Sequence, residues 1–323
     1  MSFRPTASWD NLRRRAELLR RLRSFFDDRG FLEVETPVLS ADTVVDRHLD
    51  PLGVILFDDP RQPQVGRQFW LQTSPEYGMK RLLAAGATAI YQVTRAFRGG
   101  EVGRIHNPEF TMVEWYRTGD DYAAGRALLS DLAATLLDRG LPEQLTYAAA
   151  FERYAGIEPH RATESQLAEL ARARGLTAPA FEPGDRDGWL HWLLAELVEP
   201  HLGRAAPTLL YDYPASQAAL AQVRPDDPPV AERFELYVDG IELANGYHEL
   251  LDPKVLSRRT EEANLQRAAD GKYELPAHSR LQEAMDHGLP ACTGVALGFD
   301  RLVMVALGAT SLAEVQAFPT DRA

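Results

Sequence analysis

The chain has 323 residues, of which 45% are apolar and 25% charged, the balance of an ordinary globular protein. The formal net charge of -12 argues against broad nucleic-acid binding but leaves room for a local basic patch. No apolar run of about 20 residues predicts a membrane span, and no signal peptide is expected. Cys292 is the single cysteine, which excludes an internal disulfide and favours a reducing, cytoplasmic location.

The first predicted element is an amphipathic helix at residues 8–30, with Ser8 as its N-terminal cap and Gly30 at its end. Its predicted apolar stripe is Leu12, Ala16, Leu19, Leu22 and Phe25. Arginines crowd the other face, which is either solvated or a docking surface for an acidic partner. A strand is predicted next, at residues 31–39, where Pro37 suits an edge or a bend.

The remaining elements alternate between short strands and helical runs. Strands are predicted at residues 68–72, 109–116, 208–213 and 234–247, helices at 124–137 and 165–174, and a final strand and helix at 293–308. This order predicts an α+β fold, an antiparallel sheet flanked by helices. We expect residues 1–323 to form one domain with a helical insertion at about residues 120–205.

An Asp-Gly pair between two β-prone runs predicts a tight hairpin at residues 239–240. A two-residue loop pairs Tyr237 with Glu242, so Glu235 and Glu242 emerge on one face as diagonal neighbours. Carboxylates this close repel unless a cation or a proton lies between them. Magnesium takes such ligands together with substrate phosphates. The alternative is that both acids simply face water.

The strand that follows Glu109 carries a carboxylate, Glu114, on the same face as Tyr116. Burying that carboxylate without a partner is costly, and a cationic ligand would satisfy it. A bulge at Gly246 would turn Glu249 to the face of the hairpin acids. Two carboxylates and the Tyr116 hydroxyl could then surround an ammonium group. Such a pocket selects lysine-like side chains, because an unpaired buried acid penalises neutral ones.

A glycine-rich loop follows Arg98, and a strand of small residues precedes Arg301. Further polar side chains on or beyond the loop are Arg104, His106 and Asn107. Arginine grips phosphate with a planar fork, and a flexible loop lets several donors close around a triphosphate. Small residues in a strand indicate that a ligand or another backbone lies close. Each feature taken singly also occurs in ordinary hairpins.

Together these segments resemble the catalytic domain of the class II aminoacyl-tRNA synthetases, most closely its lysyl branch. The resemblance covers nearly the whole chain, with three motifs in order at residues 30–37, 97–116 and 294–301. Its most specific runs are residues 106–112 and 242–249. It implies ATP and Mg²⁺ as cofactors and activation of an amino acid as its adenylate. Because the first motif of this fold builds a two-fold interface, it also implies a homodimer.

The resemblance implies that Arg98 and Arg301 are catalytic, the first at the α-phosphate and the second at the triphosphate and adenine. It implies that Glu235 and Glu242 hold magnesium. The residues expected at the ATP site are Arg98, Gly99, Gly100, Arg104, His106, Asn107, Phe110, Glu242, Leu243, Gly298 and Arg301. Those expected to bind the amino acid are Ser74, Pro75, Glu76, Glu114, Tyr116, Asn245, Glu249 and Ala296.

Among the latter, Glu76 is expected to face the α-amino group and Asn245 the carboxylate of the amino acid. That carboxylate attacks the α-phosphorus in line, and the protein positions the groups and screens charge. No covalent enzyme nucleophile is required.

Bacterial lysyl-tRNA synthetases carry an anticodon-binding barrel ahead of the first motif, where this sequence has only a helix. With its acidic charge, the chain is more similar to the elongation factor P–(R)-β-lysine ligases. These transfer (R)-β-lysine or lysine to a lysine ε-amino group of elongation factor P, so transfer RNA is not the expected partner. Ala296, a glycine in the synthetases, and Arg104 follow the ligase pattern. Gly100 departs from both families, which have a glutamate there, and Glu101 lies beside it.

Two other interpretations remain open. One is a truncated synthetase that charges a transfer RNA. The other is a non-catalytic paralogue that binds amino acid or nucleotide and regulates another process. Retention of the catalytic arginines and the two magnesium-site glutamates counts against the second. The isolated histidines, His48, His160 and His248, are interpreted as filling space.

Overall fold

A computed structural model describes residues 3–323. The helices are α1 (Trp9–Asp27), α2 (Glu76–Ala84), α3 (Tyr122–Leu137), α4 (Tyr147–Tyr154), α5 (Glu164–Ala173), α6 (Arg186–Leu193), α7 (Pro253–Ala269), α8 (Arg280–Gly288) and α9 (Phe299–Ala306). The strands are β1 (Leu32–Glu33), β2 (Leu39–Ser40), β3 (Gly53–Phe57), β4 (Gly66–Leu71), β5 (Ala89–Phe97), β6 (Glu109–Thr118), β7 (Glu143–Thr146), β8 (Thr208–Pro214), β9 (Val223–Arg224), β10 (Val230–Val238), β11 (Ile241–His248) and β12 (Cys292–Gly298). None of the helices within residues 3–323 combines the length and apolarity that crossing a membrane requires.

The chain divides into two compact units, Met1–Asp121 with Leu250–Ala323, and Tyr122–Glu249. The helices predicted between residues 120 and 205 lie in the second unit, together with strands β7 to β11. The prediction of an α+β fold is confirmed, since mostly antiparallel strands alternate with helices. Parallel pairing occurs between β1 and β5 and between β7 and β8.

In the first unit, the strands pair in the order β1-β5-β6-β12, and β2, β4 and β3 form a separate antiparallel sheet. The prediction of one strand at residues 31–39 is wrong, because the run splits into β1 and β2. Pro37 lies between them and has no N–H to donate to a ladder.

Helix α1 is confirmed at its start, where the Ser8 hydroxyl accepts from the main-chain N–H of Asn11 at 3.1 Å. Gly30 follows the helix with a φ of +74°, a left-handed conformation that suits glycine. The predicted apolar stripe is partly wrong, because Ala16 is exposed. The buried residues of α1 are Leu18, Leu22, Phe25 and Phe26. Both phenylalanines of α1 face inward, and Phe26 stacks on Tyr91 at 4.7 Å.

In the second unit, the strands pair in the order β11-β10-β8-β7, with β9 beside β10. The predicted hairpin is confirmed: Val238 pairs with Ile241 across a turn at Asp239 and Gly240. Both turn residues have positive φ, 53° and 76°, as the tight turns of right-twisted hairpins require. This turn fixes which residues of β10 and β11 face each other.

A bulge in the hairpin lies at Leu243 and not, as predicted, at Gly246. Leu236 pairs with Ala244 whereas Tyr237 pairs with Glu242, which leaves Leu243 as the extra residue. Gly246 pairs regularly with Phe234. The extra residue shifts the alternation of β11 by one place close to the turn.

The acidic residues of the hairpin lie on one face, as the sequence predicted. Because Tyr237 is opposite Glu242 and Glu235 is opposite Asn245, these four residues share one face of the hairpin. Continued alternation along β11 places Glu249 on the same side of the chain as Asn245.

Candidate functional site

The first unit contains a buried acid pocket around Glu114, which is 1% exposed in the middle of β6. Tyr116 donates its hydroxyl to Glu114 Oε2 at 2.9 Å, and the Ser74 hydroxyl donates to Oε1. Ser74 in turn accepts from the main-chain N–H of Glu76 at 3.0 Å, at the start of α2. The predicted pair of Glu114 and Tyr116 on one face is therefore confirmed, and Ser74 joins them.

Burial and, to a smaller extent, the nearby negative charge of Glu76 raise the pKa of Glu114 from 4.5 to about 8. The hydrogen bonds from Ser74 and Tyr116 act in the opposite direction. Without a cation, this carboxyl holds a proton at neutral pH. An ammonium group in the pocket would favour its ionised form. The arrangement therefore suits a positively charged ligand.

A buried ion pair lies beside this pocket on α2. Lys80 is 2% exposed, and its Nζ lies 2.5 Å from Glu76 Oε1. The pair spans one helical turn, the spacing at which side chains on a helix meet. Sequence analysis missed Lys80, although its i+4 spacing from Glu76 was a usable signal. An amino acid that binds Glu76 through its amino group would share this carboxylate with Lys80.

Two strand neighbours flank Glu114 in the sheet of the first unit. Gln92 of β5 is paired with Glu114 on one side, and Ala296 of β12 is paired with it on the other. The Gln92 side chain is buried and accepts from the Thr36 hydroxyl at 3.0 Å. Ala296 is half-buried, whereas most other residues of β12 are buried. Its side chain is a single methyl group, so it fills little of the space beside the carboxylate.

Arg98 is held at the end of β5 with its main-chain N–H bonded to Pro108 O at 2.9 Å. Its guanidinium lies over the Phe110 ring, 5.1 Å from the centroid, and its buried Nε has no hydrogen-bond partner. Glu101 Oε1 lies 3.8 Å from Arg98 Nη1. A buried guanidinium N–H without a partner is a donor ready for an anion such as phosphate.

The glycines after Arg98 have different roles. Gly100 has a φ of +79°, and the space where a side chain would begin is open. Gly99 donates its main-chain N–H to Asp50 O at 2.7 Å. Glycine at position 100 thus favours a left-handed turn, which brings Glu101 rather than residue 100 toward Arg98.

Arg301 supplies a second positive charge in the first unit, and His106 lies against it. Arg301 Nη2 lies 2.6 Å from His106 Nε2, and Arg301 Nε donates to Ile105 O at 3.2 Å. Burial and the positive charge of Arg301 lower the pKa of His106. His106 is therefore neutral at pH 7 and accepts from Arg301.

Arg104 and Asn107 connect the loop after Arg98 to the C-terminal segment. Arg104 Nη1 donates to Thr310 O at 2.6 Å. Asn107 donates to Glu109 O at 2.6 Å and accepts from the main-chain N–H of Thr320 at 3.0 Å. These bonds give Arg104 and Asn107 a structural role in addition to the predicted role at the ATP site.

Asp300 was missed by sequence analysis, although it directly precedes Arg301. It is 2% exposed and forms an ion pair with Arg15 at 2.6 Å. Its other oxygen accepts from the main-chain N–H of Thr111 at 2.9 Å and from Gln316 at 2.7 Å. Asp300 thus joins α1, β6 and the start of α9, which carries Gly298 as its N-terminal cap.

In the second unit, Glu235 lies in a buried polar cluster. Tyr213 and Tyr237 each donate a hydroxyl to Glu235 Oε2 at 2.5 Å, and Arg233 donates to Oε1. The negative charge of Glu235 raises the pKa of Arg233 against the effect of burial. Glu235 therefore already balances the charge of the half-buried Arg233.

Glu242 and Asn245 lie on the same hairpin face. Glu242 is half-buried, and its charge acts on both Arg233 and Tyr237. Asn245 Oδ1 is buried without a hydrogen-bond partner and so can accept from a ligand. Within residues 3–323, no group of three or more His, Cys, Asp or Glu side chains is arranged to hold a metal. Two carboxylates with substrate phosphates are nevertheless a usual magnesium ligand set.

Hydrogen bonds connect the end of β11 to the segment before β9. Glu249 is 1% exposed, and its main-chain carbonyl accepts from Gln222 at 3.0 Å. His248 Nδ1 pairs with Glu232 Oε2, and Gln222 lies 3.3 Å from His248 Nε2. His248 therefore belongs to a hydrogen-bonded group instead of merely filling space.

Residues 1–322 match the sequence model of the class II tRNA synthetases of the D, K and N group, so the chain belongs to this family. Members of this family use ATP and Mg²⁺ to activate amino acids, which makes the protein an ATP-dependent, amino-acid-activating ligase. The match also confirms the class II synthetase fold that the motifs predicted.

Proposed function

We propose that this protein activates (R)-β-lysine or lysine as its adenylate and transfers it to a lysine ε-amino group of elongation factor P. The observation that carries the choice of amino acid is the buried Glu114. A carboxyl with a pKa near 8, fixed by Ser74 and Tyr116, gains its charge when an ammonium group binds. A neutral side chain in the same place would offer Glu114 no opposite charge and so would gain no ion pair.

In the first step, a carboxylate oxygen of the amino acid attacks the α-phosphorus of ATP. An oxygen–phosphorus bond forms, and pyrophosphate leaves with the electrons of the broken bond. Arg98, whose buried Nε has no partner, would bind the α-phosphate, and Arg301 with neutral His106 would contact the nucleotide. These cations stabilise the charge that develops on the phosphate oxygens.

In the second step, the neutral ε-amino group of the acceptor lysine attacks the carbonyl carbon of the adenylate. The amide bond forms, AMP leaves, and the attacking nitrogen loses a proton to solvent. Ala296 and Arg104, which follow the ligase pattern, support elongation factor P as the acceptor. The net charge of -12 offers little to neutralise transfer-RNA phosphates.

Magnesium would supply positive charge that offsets the negative charge of the substrate phosphates. The oxygen-rich hairpin face fits such an ion: the half-buried Glu242 would be its ligand, beside the predicted ligand Glu235. A contact through Glu235 would share oxygens that already accept from Arg233, Tyr213 and Tyr237.

The activation step is tested by pyrophosphate exchange with lysine, (R)-β-lysine and norleucine, the last matching lysine without its ammonium group. We expect exchange with at least one of the two amines and none with norleucine. Exchange with norleucine at a comparable rate would contradict the ammonium pocket. No exchange with any amino acid, in protein that is folded, would favour a non-catalytic binding protein.

The acceptor is tested by incubation of the protein with radiolabelled amino acid, ATP, elongation factor P and transfer RNA together. We expect label on elongation factor P, with mass spectrometry locating the added mass on one lysine. Elongation factor P with that lysine replaced by arginine is the matched control and should remain unlabelled. Label on transfer RNA alone would contradict the proposal and indicate a truncated synthetase.

A further inference from the structure

The loop at residues 46–51 has no regular secondary structure and is held by the C-terminal end of α7. Arg267, fully buried, donates from Nη1 to Asp46 O and to Leu49 O, each at 2.9 Å. The same nitrogen lies 3.0 Å from Asp50 Oδ1. One buried guanidinium thus fixes two carbonyls and one carboxylate of this loop.

Two residues that follow α7 also donate hydrogen bonds to this loop. Lys272 Nζ donates to Arg47 O and to Asp50 Oδ2, both at 2.9 Å. Tyr273 donates its hydroxyl to Pro51 O at 2.7 Å, and its ring stacks on Trp70 at 5.5 Å. Four main-chain carbonyls of the loop therefore accept hydrogen bonds from these three side chains. The conformation of the loop depends on these donors.

The same loop holds the backbone next to Arg98. The main-chain N–H of Gly99 donates to Asp50 O at 2.7 Å, and a side chain at position 99 would begin 3.2 Å from that oxygen. Beyond it, Gly100 has a φ of +79° and open space around it. The bond to Asp50 thus fixes the backbone directly after Arg98, before the left-handed turn at Gly100.

We propose that Arg267 is a positioning residue for Arg98, acting through the loop at residues 46–51 and the amide of Gly99. A reacting group displaced by about 1 Å can lose about a hundredfold in rate. Loss of the Arg267 bonds loosens Leu49 and the side chain of Asp50, the residue whose carbonyl holds Gly99, so Arg98 samples positions away from the α-phosphate. The inference rests on the proposed role of Arg98 in binding ATP.

The test compares Arg267→Met, Lys272→Met and Tyr273→Phe with Arg258→Met, a control on the exposed face of α7. Hydrogen exchange is followed in the peptide that contains Gly99 and, as an internal reference, in α9. We expect faster exchange at Gly99 in the three variants, unchanged exchange in α9, and no change in the control. Unchanged exchange at Gly99 would overturn the proposal. Tyr273→Phe loses only one hydroxyl, so the test stands if Arg267→Met fails to fold.

Pyrophosphate exchange provides the second readout. We expect kcat/KM for ATP to fall at least tenfold in Arg267→Met, with the KM for the amino acid within twofold of the parent protein. Arg267→Lys should recover part of the loss. Faster exchange at Gly99 with unchanged ATP kinetics would overturn the role in positioning Arg98. If the parent protein itself activates no amino acid, the proposed function fails, and hydrogen exchange still decides whether Arg267 fixes the loop.

Discussion

Ala296 lies directly opposite Glu114 in the register between β12 and β6. Side chains opposite each other on antiparallel strands have their Cβ atoms about 5 Å apart. The methyl group of Ala296 therefore forms the wall next to the carboxyl that we expect to bind the substrate ammonium. We expect its size to set how far the amino acid enters the pocket.

We expect Ala296→Gly to shift the preference of the activation step from (R)-β-lysine toward lysine, because removal of the methyl group moves the bound chain. A single methyl in such a pocket changes the ratio of kcat/KM by about 10- to 200-fold. Pyrophosphate exchange with both amino acids measures this ratio. Ala291→Gly, an exposed alanine just before β12, is the control and should not change it. An unchanged ratio in Ala296→Gly would show that Ala296 does not determine which of the two amino acids is preferred.

The local parts of the site could be predicted from the sequence. An Asp-Gly turn fixes the hairpin, and alternation places Glu114 beside Tyr116 because both effects act between near neighbours in the chain. The position of the bulge could not be predicted, since a shift of one residue at Leu243 or at Gly246 gives Glu249 the same orientation. Spacing alone cannot distinguish the two.

Contacts between distant segments could not be predicted at all. Arg15 pairs with Asp300, and Arg267 holds Asp50, at separations of more than 200 residues along the chain. A charged residue in an amphipathic pattern indicates a solvated face, and nothing local marks the arginine that is buried instead. Such partners become visible only when the fold brings the segments together.

The affinity for a lysine-like ligand should depend on pH through Glu114. Because its pKa is about 8, the ligand must displace a proton at lower pH. We expect Kd to fall about tenfold per pH unit between pH 6 and pH 8, and to level off above pH 8. Calorimetry at pH 6.5 in buffers of different ionisation enthalpy should show release of nearly one proton.

Glu114→Gln should bind the ligand more weakly and without this pH dependence, because its side chain does not titrate. Glu109→Gln, half-exposed at the start of the same strand, is the matched control and should keep the slope of the parent protein. A Kd of the parent protein that is constant from pH 6 to pH 8 would contradict a protonated Glu114.

The same pKa predicts how the free energy of unfolding changes with pH. Glu114 binds its proton more tightly in the folded protein, so its contribution to stability is complete below pH 4.5 and is lost as pH rises through 8. Glu114→Gln lacks this loss and should gain roughly 2 kcal/mol relative to the parent protein between pH 6 and pH 8. Urea unfolding at the two pH values checks this. A constant difference between the two proteins would contradict it.

The two hairpin acids should differ when each is replaced by glutamine. Glu242→Gln should raise the Mg²⁺ concentration for half-maximal pyrophosphate exchange about tenfold, since one ligand charge is lost, and leave Tm unchanged. Glu235→Gln should cost about 3–5 kcal/mol of stability, because it leaves the half-buried Arg233 without its carboxylate. Glu196→Gln, exposed in the same unit, should change neither quantity. If both variants raised the required Mg²⁺ concentration equally and neither lost stability, Glu235 would be a metal ligand without the structural role expected here.

The ion pair between Arg15 and Asp300 should contribute strongly to stability, since the side chains are 18% and 3% exposed. Arg15→Met leaves a buried carboxylate uncompensated, and we expect a loss of about 3–5 kcal/mol in urea unfolding. Arg14→Met, one residue earlier and exposed, should stay within about 0.5 kcal/mol of the parent protein. The double variant Arg15→Met with Asp300→Asn should lose less than the sum of the single losses, because neither charge is left buried alone. Additive losses would mean that the two side chains stabilise the protein independently, despite the 2.6 Å between them.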